Sequence, residues 1–209
     1  MYTFAYLKAT SNLAIAVPLD DTDRSVMDYD KVIIDEQAGW RFYTDSDHAG
    51  NAEVQNRRRS QNGLLGTHRQ APVLWYSKAS SVTFASPKIG EAHADTSSTA
   101  VEIFAAGNAS QELMGLSYVS EEMNIPFPSP IVLEMDNAAA KIFCDGSASK
   151  TRLKHIDARQ EWIQVLRNKD LIKAQYVPTD ENLADIFTKI LPRATFIYLR
   201  DQILKPLPQ

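Results

Sequence analysis

The sequence predicts an α/β fold, a five-stranded mixed sheet with helices on its faces. Three observations carry this expectation. Runs of aromatic and β-favouring residues come first in the main part of the chain, and helical and strand-like segments alternate after residue 97. Of 209 residues, 44% are hydrophobic and 23% charged, the balance of an ordinary globular chain and not of a disordered one. The length fits one domain, or one domain plus a short appendage.

The elements follow in order. Tyr2 to Ala9 reads as helical and Leu13 to Leu19 as a strand. Asp20 to Asp30 is acidic and turn-like, and it marks the edge between residues 1–36 and a main domain over 37–209. Trp40 to Thr44 is the first strand of that domain. Asn62-Gly63 reads as a polar turn at the head of a strand over 62–67, and Val73-Leu74-Trp75-Tyr76 centres a strand over 73–77. These first three strands are predicted to be antiparallel. Ser97, Ser98 or Thr99 caps a helix running to about Met123, and Pro126, Pro128 and Pro130 stop it. Ile131 to Met135 is a short apolar strand bounded by Asp136-Asn137, with a small helix after it. Arg152 to Arg167 is an amphipathic helix, Leu171 to Val177 a strand, and Asn182 to Lys189 the start of another helix.

Composition excludes several classes. A single cysteine, Cys144, rules out an internal disulfide framework and a Cys-rich zinc site, and it suits a reducing compartment. No apolar run is long enough to span a bilayer. Met1 to Thr10 carries one lysine and no cleavage site, so no secretory signal is predicted. The net charge of −4 argues against a purely electrostatic nucleic-acid binder. The charge is uneven, however. Seven acids face Arg24 and Lys31 between Asp20 and Glu36; Val54 to Gly90 holds six Lys or Arg and no acid; Gly146 to Lys173 holds seven bases and three acids. Such runs are commonly solvated faces. Two basic segments in an acidic chain also suit an anionic ligand.

Four carboxylates stand in apolar surroundings. Asp45 ends the strand Trp40–Thr44 and Asp136 ends Ile131–Met135, and strand ends are where ligand sites gather in open α/β sheets. Glu102 shares a helical stripe with Ala106, Ala109, Leu113 and Leu116. Asp185 lies between Leu183-Ala184 and Ile186-Phe187. Singly, each has an ordinary structural explanation as a turn, cap or snorkelling residue. Together they form a candidate set, because a buried carboxylate is stabilised by pairing or by a metal ion.

Tyr43-Thr44-Asp45-Ser46-Asp47-His48-Ala49-Gly50 resembles the opening motif of the ribonuclease H domain of copia-type LTR retrotransposon Pol polyproteins. The order continues with Arg59-Ser60-Gln61-Asn62-Gly63, Trp75-Tyr76-Ser77-Lys78 and Ser97-Ser98-Thr99-Ala100-Val101-Glu102. Met135-Asp136-Asn137, Leu153-Lys154-His155-Ile156-Asp157-Ala158-Arg159, Tyr176-Val177-Pro178 and Asn182-Leu183-Ala184-Asp185-Ile186-Phe187-Thr188-Lys189 complete it. The resemblance covers residues 40 to 200, and its strength is the order and spacing of the motifs. Tyr6-Leu7-Lys8-Ala9-Thr10 resembles the end of the reverse transcriptase region that precedes this domain, so residues 1–36 are expected to be a remnant of that connection. The chain then resembles a C-terminal piece of a polyprotein, or a degraded copy. Three departures stand out: Ala100 replaces a second Glu of the family, Ile103 a Tyr, and His48 a frequent aromatic. The histidine that many cellular ribonucleases H carry before the last carboxylate has no counterpart in Pro178 to Ala184. His155 is the nearby candidate by motif, with a structural hydrogen-bonding role as its competing reading.

The resemblance implies a ribonuclease H-like fold and a metal-dependent endonuclease that hydrolyses the RNA strand of RNA/DNA hybrids. It makes Asp45, Glu102, Asp136 and Asp185 both the catalytic residues and the ligands of two Mg²⁺ ions, with Mn²⁺ as an alternative. Asp45 would bridge both ions, Glu102 and Asp136 would hold the leaving-group ion, and Asp185 the ion that activates water. Arg57, Arg58, Arg59, Asn137, Lys154 and His155 are the expected nucleic-acid contacts. Recognition of the RNA strand would rest on 2′-OH groups and hybrid shape. The implied partners are the hybrid and the reverse transcriptase and integrase parts of a parent polyprotein, with no membrane. The implied location is intracellular: cytoplasm, virus-like particles or nucleus. The alternative is a decayed or domesticated domain that binds hybrid or a protein without cutting, which the Ala100 and Ile103 departures favour. Limited proteolysis is expected to cut first between Asp20 and Asp30; full protection there would place residues 1–36 in the core.

Overall fold

Period-two alternation along Trp40–Asp47 sends Phe42 into one apolar layer and Tyr43 into the other, so both faces of this strand must be covered. This computed structural model describes residues 10–15, 39–47, 60–80, 98–146 and 158–206. Its strands are β1 (Leu13–Ala14), β2 (Trp40–Asp47), β3 (Gln61–His68), β4 (Ala71–Ala79), β5 (Ile131–Met135), β6 (Ile172–Tyr176) and β7 (Lys205–Pro206). Its α-helices are α1 (Ser98–Glu122), α2 (Ala138–Cys144), α3 (Ala158–Asn168) and α4 (Arg193–Ile203).

The main sheet has the order β4-β3-β2-β5-β6. The pairs β2–β3 and β3–β4 are antiparallel, whereas β2–β5 and β5–β6 are parallel. This is the five-stranded mixed α/β sheet expected from the sequence. On one face, Phe42, Leu64, Leu133 and Met135 cluster with Ile103, Ala106, Ala109 and Leu113 of α1 and with Ile163 and Leu166 of α3. Each Leu or Phe fully removed from water contributes about 1.5–3 kcal/mol. On the other face, Tyr43 and Leu65 cluster with Ala184 and Ile203, flanked by Leu183, Ile186 and Phe187. Leu64 and Leu65 therefore serve opposite layers, as adjacent strand residues must. Helix α1 is buried without interruption from Val101 to Gly107, so the stretch just after its first turn lies inside the molecule.

Two polar devices fix the central strands. Arg41 donates from Nε and Nη2 to the buried Glu134 carboxylate at 2.8 and 2.6 Å, clamping β2 to β5 beside their short parallel pairing. Trp40 Nε1 donates to Pro126 O at 2.9 Å, which ties the start of β2 to the segment after α1.

Several local expectations are corrected. Asn62-Gly63 is not a turn: it lies inside β3, and the β3–β4 turn is Arg69-Gln70, both with positive φ of 50° and 66°. The Asn-Gly pair is used for packing, since Asn62 Oδ1 accepts from Ser46 Oγ at 2.8 Å and Gly63 lies opposite Asp45. β2 runs on to Asp47, so Asp45 sits within the strand and not at its end. Residues 182–189 do not begin an α-helix. They form a short 3₁₀ turn at Leu183–Phe187, preceded by another at Thr179–Glu181, because Asn182 is extended, accepts from Ala184 N and donates to Thr44 O at 3.2 Å. That pins the turn to β2 before an α-helical pitch develops. The next helix, α4, starts only after Pro192. Within the strand expected at Leu13–Leu19, Leu13–Ala14 pairs with Lys205–Pro206, which supplies the partner edge it needs. The expected helix at Tyr2–Ala9 and the first residues of the helix expected from Arg152 lie outside the described residues.

Gly63 has no room for a side chain. A Cβ there would stand 2.7 Å from Thr188 Cγ2 and 3.1 Å from Ala184 O. Gly63→Ala is expected to destabilise the fold by about 1–3 kcal/mol through overpacking and to push the 183–188 turn off the sheet. Denaturant unfolding measures the loss; an unchanged midpoint would show that this turn is not packed on β3.

Candidate active site

Four elements each deliver one carboxylate to the same place. β2 is covered on both faces, so Asp45 is fully buried in mid-strand between Thr44 and Ser46, themselves buried. Glu102 is carried in by the first turns of α1 and is also buried. Asp136 follows the last residue of β5 and is half-buried. Asp185 is buried in the Leu183–Phe187 turn. One carboxylate oxygen from each of Asp45, Glu102 and Asp136 lies within 4.8 Å of the others.

Lys189 joins Asp185 to this group. Its Nζ donates to Asp185 Oδ1 at 2.8 Å and to Asp45 Oδ1 at 3.1 Å, and lies 3.8 Å from Asp136 Oδ2. The second Asp45 oxygen, Oδ2, accepts from Thr188 Oγ1. Glu102 accepts from the backbone N–H of Ser46, but its Oε2 is buried without a hydrogen-bond partner among the described residues.

The electrostatics follow from this crowding. Burial, then the charges of Asp45 and Asp136, push the Glu102 carboxyl up to about 10, against the pull of Lys189 and the Ser46 N–H. Burial and Asp45 push Asp185 up to about 7, against Lys189. For Lys189, burial favours the neutral amine, but Asp45, Asp185 and Asp136 outweigh it and hold the ammonium more firmly than usual. A fully ionised cluster thus needs more positive charge than Lys189 supplies.

The donor set fits a hard divalent cation. It is all oxygen, its spread matches metal–oxygen distances of about 2.1–2.6 Å on either side of an ion, and the unpartnered Glu102 Oε2 is a buried acceptor in need of a cation or donor. Asp45, Glu102 and Asp136 would hold such an ion, with Asp185 beside them across Lys189.

Of the other expected site residues, Asn137 adjoins Asp136, and its Oδ1 accepts from Ala140 N at 3.0 Å as the N-cap of α2. Arg57, Arg58, Arg59, Lys154 and His155 lie outside the described residues. The candidate set drawn from the sequence omitted Lys189 and Thr188. The i,i+4 spacing of Asp185 and Lys189 was the available pointer to that pair.

No protein-family model matches the chain. It is 29% identical over 154 residues to the retrovirus-related Pol polyprotein from transposon TNT 1-94 of Nicotiana tabacum. It is 28% and 27% identical, over the same length, to those from transposons RE2 and RE1 of Arabidopsis thaliana. Each match covers 74% of this chain and 10% of the relative, so the chain spans about a tenth of the length of the curated relatives it matches. Among solved structures, LC11-RNase H1, isolated from compost, superposes with a TM-score of 0.50 at 15% identity, covering 72% of this chain and 93% of that one. The homologues are thus Pol polyproteins of plant transposons, and the fold is that of ribonuclease H, as the sequence motifs led us to expect. No helix among the described residues is long and apolar enough to cross a membrane.

A carboxyl whose folded pKa lies above its unfolded value keeps a proton that the unfolded chain has released. Its contribution to stability is present below the unfolded pKa and is lost as pH rises through the folded one. The metal-free protein should therefore lose stability from pH 4.5 towards about 10 through Glu102, with Asp185 adding to the fall between 3.8 and about 7. Glu102→Gln should flatten the upper part of that profile, and Mg²⁺ should restore the wild type at high pH. Thermal midpoints in chelator across this range check it; a wild-type profile that rises with pH would contradict the cluster's charge state.

Proposed function

We propose that the chain is a metal-dependent ribonuclease H domain from a copia-type retrotransposon Pol polyprotein, which hydrolyses the RNA strand of RNA/DNA hybrids. The observation that carries this reading is the buried Asp45–Glu102–Asp136 group, with an unpartnered Glu102 oxygen, on a ribonuclease H fold. The likeness to transposon Pol polyproteins supports the source. In this proposal residues 37–209 are the nuclease domain and 1–36 the tail of a reverse transcriptase region. The hybrid is the substrate, and the reverse transcriptase and integrase parts of the parent polyprotein are partners inside the cell, in cytoplasm, virus-like particles or nucleus.

Two Mg²⁺ ions, or Mn²⁺, would supply polarisation of the attacking water and charge stabilisation at the leaving oxygen. Asp45, which shares Lys189 with Asp185 and lies against Glu102 and Asp136, would serve both ions; Glu102 and Asp136 would hold the ion on the leaving-group side and Asp185 the ion on the water side. Burial around Asp45 and Glu102 keeps bulk water from these oxygens and strengthens their attraction for cation and phosphate. Arg57, Arg58 and Arg59 would hold phosphates on the run-up to β3, and Lys154 and His155 those near α3. The runner-up reading, a non-catalytic binding domain, takes its support from Ala100, which stands one residue before Val101-Glu102 where the family has another acid.

Asp136→Asn should lower hybrid cleavage in Mg²⁺ by about 10²-fold or more, with hybrid affinity nearly unchanged. Arg57, Arg58 and Arg59 changed together to Ala should weaken affinity and flatten its salt dependence, with the rate at saturating substrate little altered. A wild type that binds hybrid but does not cut it in Mg²⁺ or Mn²⁺ would decide for the binding domain. Equal cleavage by wild type and Asp136→Asn would remove the activity from this cluster.

A further inference from the structure

The carboxylates of the cluster are unequally served. Both oxygens of Asp45 are engaged, Oδ1 by the Lys189 ammonium and Oδ2 by the Thr188 hydroxyl. Asp185 Oδ1 is engaged by the same ammonium. Glu102 Oε2, in contrast, is a buried acceptor with no donor, and Asp136 is beyond hydrogen-bond reach of Nζ at 3.8 Å. Lys189 thus hydrogen-bonds Asp45 and Asp185 and only approaches Asp136, while Glu102 Oε2 is left without a donor among the described residues.

We propose that Lys189 is a built-in cation that holds the Asp45–Asp185 position in the resting protein. The chain then has one pre-assembled divalent-ion position, formed by Asp45, Glu102 and Asp136. A second ion reaches Asp45 and Asp185 only by displacing the ammonium. This rests on the metal-dependent reading above and concerns how the two ions load. An ammonium at 2.8–3.1 Å and a divalent ion at about 2.1 Å cannot share the same two oxygens. The exit is built in: Lys189 is 30% exposed, on a flexible four-carbon stem, and can swing to solvent without moving the backbone. Its backbone N–H donates to Asp185 O at 3.0 Å, so the main chain keeps the pair in register when the side chain leaves. The ammonium also offsets the repulsion between Asp45 and Asp185.

The test is Mn²⁺ binding without nucleic acid, by calorimetry and by electron paramagnetic resonance, on wild type, Lys189→Gln and Lys189→Arg. Wild type should bind one ion firmly and a second at least tenfold more weakly. Lys189→Gln should raise the second affinity at least tenfold, the effect of removing a like charge a few ångströms away. Lys189→Arg, which keeps the charge, should behave as wild type. Isotherms for Lys189→Gln that match wild type would overturn the proposal. Asp185→Asn gives a check that does not need Lys189→Gln to fold: the first-ion affinity should stay within twofold, whereas a tenfold loss would put Asp185 in the first position and overturn the proposal. Hybrid cleavage is assayed in parallel. Cleavage by wild type with unchanged Lys189→Gln isotherms removes the role of Lys189 and leaves the nuclease reading. The predicted gain in second-ion affinity without any wild-type cleavage does the reverse.

Discussion

Repulsion among four carboxylates is the constraint around which the molecule is arranged. Asp45, Glu102, Asp136 and Asp185 come from a strand, a helix, a strand end and a 3₁₀ turn, and three of them are buried. In such surroundings like charges cannot all remain ionised without a counter-charge. Lys189, Thr188 and the Ser46 N–H provide part of the compensation, and the raised carboxyls of Glu102 and Asp185 express what is left. The cluster is a local defect in stability that the rest of the fold must tolerate, a common condition of sites that bind cations.

Rigid neighbours make that tolerance possible. β2 carries Asp45 at the middle of the sheet, between β3 and β5, with apolar layers on both sides. The Arg41–Glu134 clamp fixes β2 against β5, the strand that leads into Asp136. Asn182 ties the Asp185 turn to Thr44 O, one residue from Asp45, and Gly63 lets that turn lie flat on β3. The same chain therefore uses buried acids in two ways. Glu134 is satisfied by a bidentate arginine and is structural, whereas Glu102 is left with an unpartnered oxygen beside other acids.

Where the sequence misled, packing had overridden a local preference. Asn62-Gly63 has the composition of a hairpin turn. Its glycine is required by contact with Thr188 and Ala184, and the true turn, Arg69-Gln70, holds two non-glycine residues at positive φ. The segment 182–189 has helical composition, yet a single asparagine bonded to β2 keeps it in 3₁₀ turns. Neither contact partner is near in sequence, so no local pattern announces them.

The sequence by itself determined the class of the fold and its ordering. Strand runs at 40–44, 62–67, 73–77, 131–135 and 171–177, with a long helix from Ser98, are local patterns of side-chain period, and the strands and helix formed where those patterns lie. The motif order also marked Asp45, Glu102, Asp136 and Asp185 as a set. Only the tertiary structure decided the charge balance of that set: which oxygens are engaged, that Glu102 Oε2 has no partner, and that Lys189 bridges Asp45 and Asp185. Asp45 and Lys189 are 144 residues apart, and their attraction depends on distance and desolvation, which only the folded chain defines.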